Sequence, residues 1–152
     1  IAEFEPGIID AYAGEDKLHH LLAYMDEEKI FWASEMIVKG APRISETIFN
    51  ALFNNLKLRK LARFSMKNSA GWAEITYINA FKNEQIKTKR NYLLGWVFST
   101  IENQHGFALD LAEDGMKKYN DGLFEELKAH SIKEIRRNII KLRFYPAVIS
   151  KI

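Results

Sequence analysis

The chain has 152 residues, 47% hydrophobic and 28% charged, with 8 Gly and 3 Pro, which excludes compositional disorder and collagen-like order and makes one globular domain over 1–152 the expectation. Zero Cys excludes a disulfide framework, a thiolate metal site and a Cys nucleophile. With 22 Lys+Arg against 20 Asp+Glu the net charge is only +2, too small by itself to argue for a nucleic-acid partner.

In chain order, helical spacing is the recurrent signal. Leu18, Leu21, Leu22 and Met25 mark one face of a first helix, with Asp26 placed to cap the next. Ile30, Ala33, Met36, Ile37 and Val38 predict a second helix, closed by Gly40 and Pro42. A third starts near Ser45, with Ile48, Leu52 and Phe53 inward, and Asn54 and Asn55 break it. A fourth presents Leu58, Leu61, Ala62 and Met66, and a fifth Trp72, Ile75, Ile78 and Phe81. The sixth is the most apolar, through Tyr92, Leu93, Trp96, Val97 and Ile101 to His105 and Gly106. Gly95 within it costs roughly 1 kcal/mol relative to Ala, which close packing against a neighbouring helix would offset. Further helices are expected over 107–119, 123–129 and 132–144, with Pro146 beyond. No apolar run approaches the length of a membrane span, so no membrane partner is expected, and the cytoplasm is the expected compartment. The first residue is Ile1 and not Met, as in a trimmed segment of a longer chain; Ile149 and Ile152 suit an end cut from a solenoid.

Four segments align at intervals of 28, 30 and 47 residues: Ile30–Ala33, Leu58–Leu61, Thr88–Asn91 and Ile135–Asn138. Such periodicity predicts stacked helix pairs, the second helix of each opening at these segments. Leu123-Phe124-Glu125-Glu126-Leu127 followed by Ser131-Ile132-Lys133-Glu134-Ile135-Arg136-Arg137-Asn138 resembles a HEAT-type repeat, and Asn83 to Leu94 is similar to a weaker copy. The resemblance implies an all-α fold, an α-α superhelix of about four stacked antiparallel helix pairs with one inserted helix. It also implies a binding scaffold whose second helices line a concave face.

Thirteen of the 22 basic residues fall in three of the expected second helices, between Lys57 and Lys67, Lys87 and Arg90, and Lys133 and Arg143. If second helices stack, Arg59, Lys60, Arg63, Lys89, Arg90, Arg136 and Arg137 form one positive strip, able to hold an acidic protein surface or a nucleic acid by charge-assisted hydrogen bonds. The plainer alternative is that these charges are solvated helix faces or bond nearby turns. Trp32, Trp72 and Trp96 suit core packing, or stacking on a ligand. Glu102 with His105, Asp16 with His19, and Glu126 with His130 have helical spacings used by metal sites, yet only the first fits the Glu-x-x-His pair of a di-iron bundle, and no cofactor is expected. No Gly-rich phosphate loop, nucleophile elbow or His-Glu-x-x-His motif occurs. The primary expectation is thus a non-catalytic scaffold with a basic face. Two alternatives accompany it: an alkylated-base DNA glycosylase, which the resemblance allows, with one Trp and one of Asp26, Asp110 or Asp114 in the groove; and a helical-bundle metal protein.

Overall fold

The computed structural model describes residues 1–9 and 14–142. In order these form strand β1 (Ala2–Phe4), helix α1 (Leu18–Glu28), strand β2 (Phe31–Ala41), helices α2 (Glu46–Leu52) and α3 (Leu56–Ser65), strand β3 (Ser69–Asn79), a 3-10 turn at Glu84–Ile86, and helices α4 (Lys89–Ile101), α5 (His105–Tyr119) and α6 (Gly122–Leu142). The expected all-α superhelix is therefore overturned. A three-stranded sheet in the order β1-β3-β2 takes up two of the segments expected to be helical.

Both corrections have one cause. Trp72, Ile75 and Ile78 are three apart, which fits a helix, but Trp72 is exposed and burial alternates from Ala73 to Tyr77, with Ala73, Ile75 and Tyr77 buried and Glu74 and Thr76 less so, before Ile78 is buried too. A period of two is that of a strand half-covered on one side. In β2 the aromatic and β-branched residues Phe31, Trp32, Ile37 and Val38 favour extended backbone. Gly40, expected to end a helix, lies inside β2 at a close approach: a Cβ there would stand 1.8 Å from the Ser69 carbonyl oxygen.

Two compact units are present, one of Ala2–Lys29 with Glu35–Tyr77, the other of Ile1, Ile30–Ser34 and the chain from Ile78 onward. In the first, β1 runs antiparallel to β3 with Ala2 opposite Tyr77, Glu3 opposite Thr76 and Phe4 opposite Ile75. The Phe4 ring meets Tyr77 edge-on at 5.9 Å. Helix α1 starts one residue after Lys17, is tied to the strand region by Leu18 N–H donating to the Gly7 carbonyl at 2.9 Å, and buries Met25. Between β2 and β3 the chain makes the α2–α3 hairpin. Ser45 caps α2, its hydroxyl accepting from Ile48 N–H, and Asn55 caps α3 by accepting from Lys57 N–H at 2.8 Å.

The second unit is built on α4, α5 and α6 around Tyr92, Leu111 and Phe124, with Phe81, Phe107, Met116, Tyr119 and Leu127 packed on them. Phe81 stacks on Tyr92 at 5.6 Å, and Tyr119 stacks on Phe124 at 6.0 Å. Gly95 admits the Phe81 ring and Gly115 the Phe124 ring, since a Cβ would fall 2.5 and 2.3 Å from ring carbons. Thr88 caps α4 and Asn83 the 3-10 turn. The two helices expected over 123–129 and 132–144 are one, α6. Its midpoint Ser131 is fully buried and accepts a hydrogen bond from Trp96 Nε1 at 2.9 Å, so a residue that reads as a break packs α6 against α4. Arg143, Pro146, Ile149 and Ile152 lie outside the described residues.

Candidate functional site

The stacked second helices that were to carry the seven predicted site residues are not formed, and the residues fall in two units. Arg59, Lys60 and Arg63 lie on α3 in the first unit, whereas Lys89 and Arg90 open α4 and Arg136 and Arg137 sit within α6 in the second. Of the four aligned segments, Ile30–Ala33 enters β2 and Ile135–Asn138 falls inside a helix, not at its start. The register that was to bring these cations together is absent.

Several of the charges have local work. Arg59 Nε donates to the Phe53 carbonyl, and its Nη2 to the Asn50 carbonyl at 3.3 Å. Both oxygens belong to the C-terminal part of α2 and its cap, where orphan carbonyls attract cations. Arg63 pairs with Glu46 and lies over the Phe49 ring, 4.8 Å from its centroid. Phe49 is the one buried residue of α2. The two arginines, four apart on α3, thus fasten it to α2. Lys89 pairs with Asp121, and Arg137 with Glu134 at 3.1 Å. Lys60, Arg90 and Arg136 are exposed and have no ion-pair or hydrogen-bond partner among the described residues.

The unusual feature of α3 is what it leaves uncovered. Among its residues none is buried, and Phe64 is 94% exposed. Leu58 and Leu61, expected to point inward, are exposed too, as is Leu56. Lys57, Lys60, Leu61 and Phe64 stand at i, i+3, i+4 and i+7 and so share one helix face, while Arg59 and Arg63 occupy the face turned to α2. Ile48 and Leu52 on α2 are exposed as well. The result is an amphipathic helix held by its arginines, with its leucines and phenylalanine facing outward beside two free lysines. Sequence reasoning found these cations and misread their neighbours. The signal lay in Lys57 and Lys60 sharing a face with Leu61 and Phe64, a mixture that a buried face does not carry.

Other candidate chemistry is dispersed. No group of three or more His, Asp or Glu side chains that could hold a metal occurs among the described residues. The His19 and His20 rings lie tilted to each other at 4.0 Å, and His130 lies edge-on to Trp96 at 5.4 Å. His105 is buried in the first turn of α5. Trp32 packs edge-on to Phe107 at 5.2 Å. Trp72 is partly exposed and lines a cleft of about 490 Å³ with Glu5, Arg43 and Ser69. Of the carboxylates proposed for base excision, Asp26 lies in the first unit, and Asp110 and Asp114 in the second, where Asp114 is 3.7 Å from Lys117. Perturbed acids are all explained by ion pairs: hydrogen bonds from Lys87, Lys128 and Lys89 hold Glu84, Glu113 and Asp121 below the usual carboxylate range. No helix among the described residues is long and apolar enough to cross a membrane.

Compared with protein families, curated proteins and solved structures, the chain matches none.

Proposed function

We propose that the chain is a non-catalytic binding module that presents α3 to an acidic protein partner bearing an apolar groove. What supports this reading above all is Phe64, almost wholly in water on a capped, arginine-fastened helix, with Leu61, Lys57 and Lys60 on the same face. An amphipathic helix entering a groove uses anchors at i, i+3, i+4 and i+7, and this face has that spacing. Phe64 and Leu61 supply the desolvated centre of the contact, and Lys57 and Lys60 the charged rim that selects an acidic surface and speeds encounter. Arg59 and Arg63 act indirectly, by setting the helix on α2.

The test is affinity capture with wild type, L61S/F64S and K57E/K60E, each checked by circular dichroism for retained helix. A partner retained by wild type and lost with both variants, the lysine pair also weakening with salt, supports the reading. Unchanged capture by L61S/F64S rejects it. Duplex DNA is titrated in parallel over a salt series. Affinity that falls steeply with salt and does not respond to L61S/F64S would replace the protein partner by a nucleic acid.

A further inference from the structure

A second feature is independent of α3. In the order β1-β3-β2, strand β2 is an edge, paired along one side only among the described residues. It has eleven residues, no Pro, and from Glu35 to Val38 a run of exposed side chains that includes Met36, Ile37 and Val38. Natural edge strands are commonly shortened, bulged, covered or interrupted by Pro, because an open edge offers unpaired N–H and C=O groups to another strand. Between Glu35 and Gly40 β2 has no Pro, its side chains from Glu35 to Val38 are exposed, and the order of its charges is informative.

When two copies of a strand pair antiparallel about a two-fold axis at residue 37, positions 35 and 39 face each other, as do 36 and 38. In this chain that register puts Glu35 opposite Lys39 twice, Met36 opposite Val38 twice, and Ile37 opposite itself. Glu35, Ile37 and Lys39 share one face of the strand, and Met36 and Val38 the other. Every cross-strand pair is therefore of a favourable type, unlike charges or apolar with apolar. Shifting the register by two residues removes both charge pairs. Lys39 is held 3.1 Å from Glu74 on the adjoining strand, which keeps its ammonium on the sheet, and among the described residues Glu35 has no ion-pair partner.

We propose that β2 is a self-association edge: two copies of the chain join antiparallel about Ile37, making a continuous six-stranded sheet sealed by two Glu35–Lys39 pairs. The occupant of the edge is a second copy because the charge pattern is complementary to itself, which an edge shaped for a foreign strand need not be.

The test is sedimentation velocity over a concentration series. Wild type is expected to show a monomer–dimer equilibrium. E35K sets cations against Lys39 of the second copy, and K39E sets anions against its Glu35, so each variant alone should dimerise about 10- to 100-fold more weakly. An equimolar mixture of E35K and K39E restores opposite charges at both pairs and should recover the dimer. Thermal melting of each dilute variant checks that the monomer is folded, since K39E also meets Glu74. Wild type that stays monomeric at every concentration overturns the proposal, as does a dimer that E35K leaves unaltered or a mixture that does not recover. L61S/F64S leaves this equilibrium unchanged if the association is through β2; a dimer abolished by that variant instead assigns self-association to α3.

Discussion

Two phenylalanines with opposite surroundings give the sharpest test of which apolar residues hold the molecule together. Phe124 is fully buried, its ring seated where Gly115 has no Cβ, stacked on Tyr119 at 6.0 Å and edge-on to Tyr92 at 6.4 Å. Burying such a side chain contributes about 1.5–3 kcal/mol, and truncation to Ala adds the cost of the cavity, for a total of about 3–5 kcal/mol. A domain of this size is stable by about 5–15 kcal/mol, so Phe124→Ala removes a large share of it. Phe64, 94% exposed, loses almost no buried area on the same substitution, and Phe64→Ala should stay within about 0.5 kcal/mol of wild type. Urea unfolding followed by circular dichroism compares them directly. With a slope near 2 kcal/mol/M, the Phe124→Ala midpoint falls by about 2 M and the Phe64→Ala midpoint does not move. A loss above about 1.5 kcal/mol for Phe64→Ala would refute the reasoning, because that face of α3 would then be packed.

Gly115→Ala tests the aromatic seat itself: the added methyl meets the Phe124 ring, and overpacking of this kind costs about 1–3 kcal/mol, read from the same urea curves. A variant as stable as wild type would mean the ring has room to move. Asp121 predicts a pH dependence. Its carboxylate accepts from Lys89 and, at 2.9 Å, from Leu123 N–H at the start of α6, and these bonds lower its folded pKa. A carboxyl lowered on folding stabilises above its unfolded pKa of about 3.9 and ceases to do so as pH falls through the folded value. The Asp121 carboxyl, followed by NMR, should therefore titrate below 3.9, and the first turn of α6 should exchange its amides faster once it is protonated; titration at or above 3.9 contradicts the pairing.

Helix positions were legible in part: Asp26, read as a cap, lies inside α1, and the segment it was to open is β2. Ser45, Asn55 and Thr88 each begin a helix and accept the capping bond there. The strands were not, because an apolar residue at every third place satisfies a helical template even when alternate residues are the buried ones, as in Ala73, Ile75 and Tyr77. Arbitration needed the β-branched and aromatic content of Phe31–Val38 and the polar interruptions at Glu74 and Thr76. The repeat alignment put a helix start at each of its four segments, whereas Ile30–Ala33 enters β2 and Ile135–Asn138 lies inside α6. At the candidate site the cations of α3 were found, but tertiary partners divided them: Arg59 and Arg63 face α2, and Lys60 faces solvent beside Phe64. No local pattern distinguishes an apolar helix face kept for a partner from one kept for the core. That difference lies in what the rest of the chain brings against it.

Hydroxyl-radical footprinting with mass spectrometry measures that difference side chain by side chain. At a protein concentration too low for association, Phe64 and Leu61 should be oxidised at rates near those of an unfolded chain, while Phe49 and Phe124 are protected. Protection of Phe64 comparable to that of Phe124 would contradict the account, because α3 would then have no free face to offer a partner.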